Sequence, residues 1–443
     1  MVWISFIWFL LLYSAGFLYA RKDDIFSPVK FISIKFMLLN VSFILYTAIF
    51  PESFLRSILK ICDVTLDQAF LKYTILQTIA YLCLVCGITV FRKKKILPVS
   101  GFKESYSYRN IKILAVALYS IGLSAYFIFL YRVGGLHYLL THLEKRVQLQ
   151  GGQYILNLMP LMSVACILFI LAVKLKNKTA DKLLLAFFAF GNLALLTSLG
   201  GRKSTLVFIV MFIVALHYII KPLKFTRKTV IWFSLFAVLL SFYIVAVPFL
   251  RSPAAKSKNI AEAYPKVITL ERLMYNVSYV FIDVFAANYF TIDNAWYFDG
   301  FLAPGDALFA KGDKGNIPQV DQGVYFNSIV RYQKDFRPPM PRNLVSDVSW
   351  PTENFGFGYA NLLVPGIIIF FFLQGAVFSI GYRLLQYRYS NPVMVVIYVL
   401  LIFEFNFSSL NLAFFVKTLP LMYLCYIVFN KFVLSKKLLK ALH

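Results

Sequence analysis

Apolar runs of about 20 residues, the length a helix needs to cross a hydrocarbon core of roughly 30 Å, recur along this chain between short basic clusters. The pattern predicts eleven spans, near residues 2–20, 31–50, 69–91, 111–131, 153–173, 183–199, 204–220, 229–249, 359–382, 393–409 and 411–430. The last two form one apolar stretch broken only by Ser408-Ser409-Leu410-Asn411. Backbone amides in lipid find no water to bond, so spans must be helices or closed barrels. The alternating pattern of barrel strands is missing, and the expected class is an all-α polytopic membrane protein.

Between the eighth and ninth spans the pattern changes. Residues 1–249 read as a bundle of about eight spans, 250–358 as a large outer loop, 359–430 as about three further spans, and 431–443 as a basic tail. Loops beyond about 15 residues are usually functional or disordered, and the wealth of Tyr, Phe and Trp in 250–358 speaks against disorder. Leu270, Leu273, Met274, Val277, Val280, Phe281 and Val284 recur at helical spacing, with Glu271, Arg272, Asn276 and Asp283 on other faces. That is the pattern of an amphipathic helix at the outer interface, or of one packed on the bundle. Residues 299–342, rich in Gly, Pro, Asp and Asn with isolated aromatics, read as an ordered irregular loop whose aromatic faces suit sugar hydroxyls. A second interfacial helix is expected in 132–152, where Leu136, Leu139, Leu140, Leu143 and Val147 share a face and glycine pairs bracket the segment.

Composition agrees: 60% of the 443 residues are hydrophobic and 15% are charged, outside the range of a soluble domain. A formal charge of +25 would suit nucleic acid, but the lysines and arginines gather in every second loop. That is the positive-inside arrangement, placing the amino terminus outside and the carboxyl terminus in the cytoplasm, and it accounts for the charge by topology and anionic lipid. The first apolar segment has no basic residue before it and Arg21-Lys22 after it, so it reads as a retained anchor. Neither the five cysteines nor the four histidines have metal-ligand or disulfide-framework spacing.

Several positions could carry chemistry. Leu199-Gly-Gly-Arg-Lys-Ser-Thr-Leu206 is a tight outer turn entering a span; Arg202 offers a bidentate fork for phosphate, Lys203 a point charge, and Ser204 or Thr205 a helix cap. A helix amino terminus favours anions, so the turn fits a diphosphate, although a basic turn at a lipid interface would look the same. Arg251, between prolines at the end of the eighth span, and Arg272, on the amphipathic helix, could complete a cationic cluster, or snorkel and pair locally. His137 and His142 could act as acid or base or simply line the polar side of their helix. Arg337 and Arg342 bracket a proline-rich stretch and could touch glycan. Glu404 and Lys417, ionisable inside the last spans, are expected to form a structural ion pair. Within Ser349-Trp-Pro-Thr-Glu-Asn-Phe-Gly-Phe-Gly-Tyr359, Glu353 and Asn354 are expected at the outer mouth of the ninth span, with Trp350 and Pro351 at the interface and Gly356 and Gly358 making a turn. A carboxylate held there beside apolar surface can serve as a general base; a solvated loop acid is the plainer reading.

The many spans, the large outer loop, Gly-Gly-Arg-Lys-Ser at a tight turn, and Glu-Asn before a Gly-containing span together resemble the bacterial oligosaccharide repeat-unit polymerases. This is the O-antigen polymerase (Wzy) family, related to the O-antigen ligases. Lys203 departs from the small residue often found at its place, and Glu353-Asn354 stands where ligases carry His-Asn, which favours the polymerase. The resemblance implies a glycosyltransferase of the bacterial inner membrane, acting on the periplasmic face without cofactor or metal. Donor and acceptor would both be oligosaccharides linked to undecaprenyl diphosphate, membrane lipids would surround the protein, and a chain-length co-polymerase is a candidate partner; nucleic acid is not. Glu353 would be the catalytic base, and Arg202, Lys203, Arg251 and Arg272 would bind diphosphate. Asn354, His137, Arg337 and Arg342 would contact acceptor or glycan. The rival readings are a lipid-linked oligosaccharide flippase or other transporter, an O-antigen ligase, and a membrane acyltransferase.

Overall fold

The structure, a computed structural model, describes residues 1–50, 54–92, 106–142, 149, 153–223, 227, 231, 243, 279–299, 316–317, 322–338, 340–341, 350–387 and 391–434. Fourteen helices account for nearly all the regular structure among them. They are α1 (Val2–Tyr19), α2 (Pro28–Ile49), α3 (Phe54–Leu59), α4 (Leu66–Val90), α5 (Tyr108–Val133), α6 (Gly135–Thr141), α7 (Pro160–Lys176), α8 (Thr179–Ser198), α9 (Arg202–Ala215), α10 (Val280–Tyr289), α11 (Gln322–Tyr332), α12 (Asn354–Tyr387), α13 (Pro392–Glu404) and α14 (Ser409–Val433). An antiparallel pairing joins β1 (Asn316–Ile317) to β2 (Met340–Pro341), and an isolated antiparallel bridge joins Tyr106 to Leu434. Nine helical stretches among the described residues are long and apolar enough to cross a membrane, and α13 is a shorter apolar helix. The chain is an all-α polytopic membrane protein. The predicted eighth span, 229–249, falls almost wholly outside the described residues. The final apolar stretch does divide in two, with the break at 405–408, where the Asn406 side chain accepts from the Ser408 amide (3.0 Å) and hydroxyl (2.6 Å).

The helices group into two compact units that interleave along the sequence, so each draws on several of the linear segments above. The first comprises Met1–Arg92, Ile268–Tyr382 and Glu404–Phe415, and the second Lys93–Val267, Arg383–Phe403 and Val416–His443.

In the second unit α7 packs along α5 and against α8, and every residue from Leu161 to Ala172 is buried. A helix apolar on all sides belongs in the centre of a bundle. Near the start of α8 the Asp181 carboxylate is fully buried, accepting from Tyr108 Oη (2.5 Å) and Lys112 Nζ (2.9 Å). Lys417 Nζ lies 5.5 Å from the centre of the Tyr154 ring; its expected partner Glu404 is buried and belongs to the other unit.

The first unit is built from α1, α2 and α4, with α12 crossing α4 where both backbones are bare: a Cβ on Gly87 would stand 2.1 Å from the Phe372 carbonyl oxygen, and one on Gly375 would stand 2.2 Å from that of Leu84. Small residues at such crossings are how membrane helices gain close packing without a hydrophobic drive between them. The ends of this unit are marked by two ion pairs, the Met1 ammonium with Asp67 (2.9 Å) and Arg92 with Asp23. Within α2, Met37–Val41 widens into a π turn, a local irregularity often found near functional sites. There Asn40 Nδ2 donates to Tyr13 Oη (2.6 Å).

Part of the large loop folds onto this unit around a buried aromatic core. Trp296 stacks on Phe326 at 5.4 Å, donates from Nε1 to the Phe336 carbonyl (3.2 Å), and meets Phe290 and Tyr325 edge-on. Trp350 lies edge-on to Phe281 (5.1 Å) and is itself buried. Here the structure corrects two expectations. Trp350 is a core residue and not an interfacial anchor, and Tyr325 and Phe326, two of the aromatics of 299–342 expected to suit sugars, are buried in a hydrophobic core, where such rings contribute most by burial. Tyr297 and Phe298 remain exposed, on consecutive left-handed backbones.

Candidate functional site

The ninth span starts with a helix that breaks. Leu363 adopts φ 54°, ψ −136° inside α12, with Pro365 just beyond. A Cβ on Gly366 would stand 2.0 Å from the carbonyl oxygen of Gly358, whereas eight residues of straight helix would separate the two by about 12 Å. The chain therefore runs as a short helix over 354–362, reverses at Leu363, and continues as the long helix ending at Tyr387. The turn expected at Gly356 and Gly358 lies later than the sequence suggests, and both glycines sit in the short helix.

Reversal frees backbone carbonyls, which are costly to leave unpaired. Two are satisfied by the folded loop: the Trp296 amide donates to Ala360 O (2.8 Å) and the Tyr297 amide to Asn361 O (3.0 Å). Helix α10 lies close by. Asn288 Nδ2 on α10 donates to the Ala69 carbonyl (3.3 Å) near the Leu66 end of α4. Of the amphipathic helix expected over Leu270–Val284, residues 270–278 lie outside the described residues; in the described part Val280 to Ala287 are buried almost throughout, as the alternative of a helix packed on the bundle requires. Asp283, which the spacing put on a polar face, is turned toward the start of the short helix.

The amino ends of these two short helices bring together a set of polar groups. The Glu353 carbonyl accepts the first helical bond from the Phe357 amide (3.0 Å), which makes Glu353 the N-cap residue. Its side chain accepts from Lys35 Nζ at 3.4 Å. The Asp283 carboxyl lies beside the first turn, its Oδ1 3.5 Å from where a Cβ on Gly356 would stand, so a carboxyl from another helix faces the positive end of this one. Asp283 also feels the charges of Glu353 and Lys35, and burial first, then Glu353, push its pKa well above the usual carboxylate range against the opposing pull of Gly356 and Lys35. Asn354 Oδ1 accepts from the Phe407 amide (2.6 Å). The ring of Tyr73 lies 5.4 Å from that of Phe355, and its buried hydroxyl feels the charge of Asp283.

Lys35 stands about 10 Å along α2 from Pro28 and about 21 Å from Ile49 at 1.5 Å per residue, so Glu353 is paired to a residue partway along that helix while its own side chain stays 44% exposed. Lys35, an ionisable residue inside a span, and Asp283, on the expected amphipathic helix, are the members to which the sequence assigned no role in the site. The pairing of Lys35 joins positions 318 residues apart, and the only local sign was the cost of a lysine inside a span.

The other candidates are distributed differently. Arg202 and Lys203 open α9 in the second unit, with Gly201 as N-cap and Gly200 at φ 70° making the turn. Lys203 is exposed. Thr205 is not the cap: its hydroxyl donates to the Gly201 carbonyl (3.3 Å) and accepts from Tyr243 Oη (3.0 Å). His137 is exposed on α6, while Leu139 of the same helix is buried against Tyr126 and Phe129. His142 stacks on Tyr138 at 4.1 Å. Arg337 donates to the Asp293 carbonyl (2.7 Å) and so braces the folded loop. Arg251, Arg272 and Arg342 lie outside the described residues. Comparison of the chain with protein-family models, curated proteins and solved structures finds no match.

Proposed function

We propose that this chain is a glycosyltransferase of the bacterial inner membrane that polymerises oligosaccharide repeat units carried on undecaprenyl diphosphate, as its resemblance to the O-antigen polymerases implies. The observation that supports this reading most is Glu353, fixed as the N-cap of a short helix by the break at Leu363 and held by Lys35. A base for the acceptor hydroxyl has to be anionic and oriented, and both requirements have a physical source here. In the reaction the hydroxyl oxygen attacks the anomeric carbon of the donor glycan, its proton passes to Glu353, and the bond from that carbon to the diphosphate breaks. Undecaprenyl diphosphate leaves with the bonding pair. Cations on the diphosphate would stabilise that departure, a task assigned to Arg202 and Lys203, together with Arg251 and Arg272.

A second reading, a transporter of lipid-linked oligosaccharides, is favoured by one feature: discontinuous helices with ionisable groups inside the helical layer are common at transporter binding sites. Complementation separates the two. Cells carrying Glu353→Gln at normal levels are expected to display single repeat units and no ladder on a gel. Lipid-linked units trapped on the cytoplasmic side would favour transport, polymer that is made but not attached to its lipid would favour the ligase, and a full-length ladder would remove Glu353 as the base.

A further inference from the structure

In the second unit, charge gathers where α5 starts and the chain turns from α7 into α8. Helix α7 ends at Lys176, Asn177 turns the chain with φ 47°, and α8 begins at Thr179 with Lys178 as its N-cap. Three ammonium groups surround one ring here. Lys176 Nζ lies 4.7 Å, Lys112 Nζ 5.5 Å and Lys178 Nζ 5.9 Å from the centre of Tyr108. A tyrosine face attracts a cation, but three like charges on one ring repel one another.

Asp181 supplies a balancing charge. It is fully buried, and both of its oxygens are engaged, Oδ1 by the Lys112 ammonium and Oδ2 by the Tyr108 hydroxyl. Lys112 is thereby neutralised and the ring is fixed in place. Lys176 and Lys178 are exposed, and among the described residues neither has a carboxylate partner. Two uncompensated ammonium groups are thus held at one fixed ring. What surrounds them is set by α8, where Leu183, Phe187 and Phe190 are exposed at i, i+4 and i+7 and so share a face. Lys178 precedes Leu183 by about 8 Å of helix, so the ammonium groups stand at headgroup level when acyl chains cover that face.

We propose that Tyr108, Lys176 and Lys178 form a site for the phosphate of an anionic phospholipid whose acyl chains lie along the Leu183, Phe187 and Phe190 face of α8. A headgroup with its own ammonium, as in phosphatidylcholine, brings back the charge that its phosphate removes. Phosphatidylglycerol does not. The positive-inside pattern explains why lysines collect in such a loop, but charge of that kind needs neither a shared ring nor a buried carboxylate behind it. The site stands apart from the glycan chemistry and does not depend on the polymerase reading.

The test is native mass spectrometry of the full-length protein in detergent, titrated with phosphatidylglycerol and, separately, with phosphatidylcholine of the same acyl chains. The first phosphatidylglycerol is expected to bind roughly tenfold or more tightly than the first phosphatidylcholine. Lys176→Ala combined with Lys178→Ala should abolish that preference. Arg21→Ala with Lys22→Ala, an equal loss of charge from an exposed basic pair of the first unit, should leave it in place. Equal affinity of the wild type for the two lipids overturns the proposal whatever the variants do. An equal loss in both double variants overturns it too, because the attraction would then be diffuse. Millimolar inorganic phosphate should leave the bound lipid in place; displacement would make free phosphate the occupant and overturn the lipid.

Discussion

The two units differ in how far their helices are interrupted. The second keeps α5, α7 and α8 continuous, with a π turn, Leu216–Ile220, following α9, and its α7 is buried from Leu161 to Ala172. The first interrupts its helices: α2 carries a π turn, α12 reverses at Leu363, and a carboxyl pair, a lysine and several tyrosines gather where these interruptions fall. Unbroken apolar helices satisfy their backbones alone and can be packed by shape. Broken ones expose amides and carbonyls that need partners from elsewhere, and those partners fix polar side chains in defined places. On the proposed reading the first unit carries Glu353, the base, and the second carries the basic turn at Arg202.

Substituting the glycines of the two units gives the sharpest contrast. Gly366→Ala in the first would drive a Cβ to 2.0 Å from the Gly358 carbonyl oxygen, backbone against backbone. We expect loss of folded protein by size-exclusion chromatography in detergent and no complementation. Gly122→Ala in α5 of the second meets the Met162 Cγ at 2.5 Å and backbone atoms only at 3.3 Å; the methionine side chain can shift, so a folded protein is expected with a cost of about 1–3 kcal/mol. Equal damage at both sites would undo the distinction between a strained reversal and a tolerant bundle.

Next in size is the buried acid of the second unit. Asp181→Ala leaves Lys112 and Tyr108 without their acceptor, at a cost of about 1–3 kcal/mol, read as a lowered thermal midpoint. It should leave glycan ladders intact once protein levels are matched. Loss of polymerisation at normal abundance would place chemistry in the scaffold as well.

The acid of the first unit should behave with the opposite sign. A carboxyl whose pKa is raised by folding favours the folded state while it is protonated. Its contribution is complete below the ordinary carboxylate value of about 3.9 and is lost as pH rises toward the folded value. Asp283→Asn escapes that loss, so its thermal midpoint relative to wild type should climb as pH is raised from acid to neutral. A constant difference across that range would show that Asp283 is ionised alike in both states. The smallest effect is expected at Arg337: removing one guanidinium-to-carbonyl bond at an exposed position in Arg337→Ala should cost about 1 kcal/mol, without a change in ladder length.

Much of the scaffold was legible in residue order because the signal is local and repeated. Long apolar stretches between basic clusters announced the spans, and even the divided last stretch, marked by Ser408 to Asn411, separated close to where expected. Glu353 and Asn354 stood out because polar residues immediately before an apolar run are conspicuous. Their surroundings did not. Leu363 carries no sign of a positive φ, since its conformation is imposed by the close passage of Gly358 and Gly366 and by carbonyl partners at Trp296 and Tyr297. Asp283 looked like the polar side of an amphipathic helix because period alone cannot tell water from a buried partner.

By itself, then, the sequence determined that this chain lives in a membrane and roughly where it crosses, because hydrocarbon selects long apolar helices whatever their neighbours. Only the tertiary structure decided that a span folds back on itself and that Lys35, Asp283 and Glu353 meet there. Such meetings depend on contacts between distant residues, and the energies that fix them, a helix dipole, an ion pair and an amide seeking a carbonyl, act over a few ångströms of space and leave no period in the chain.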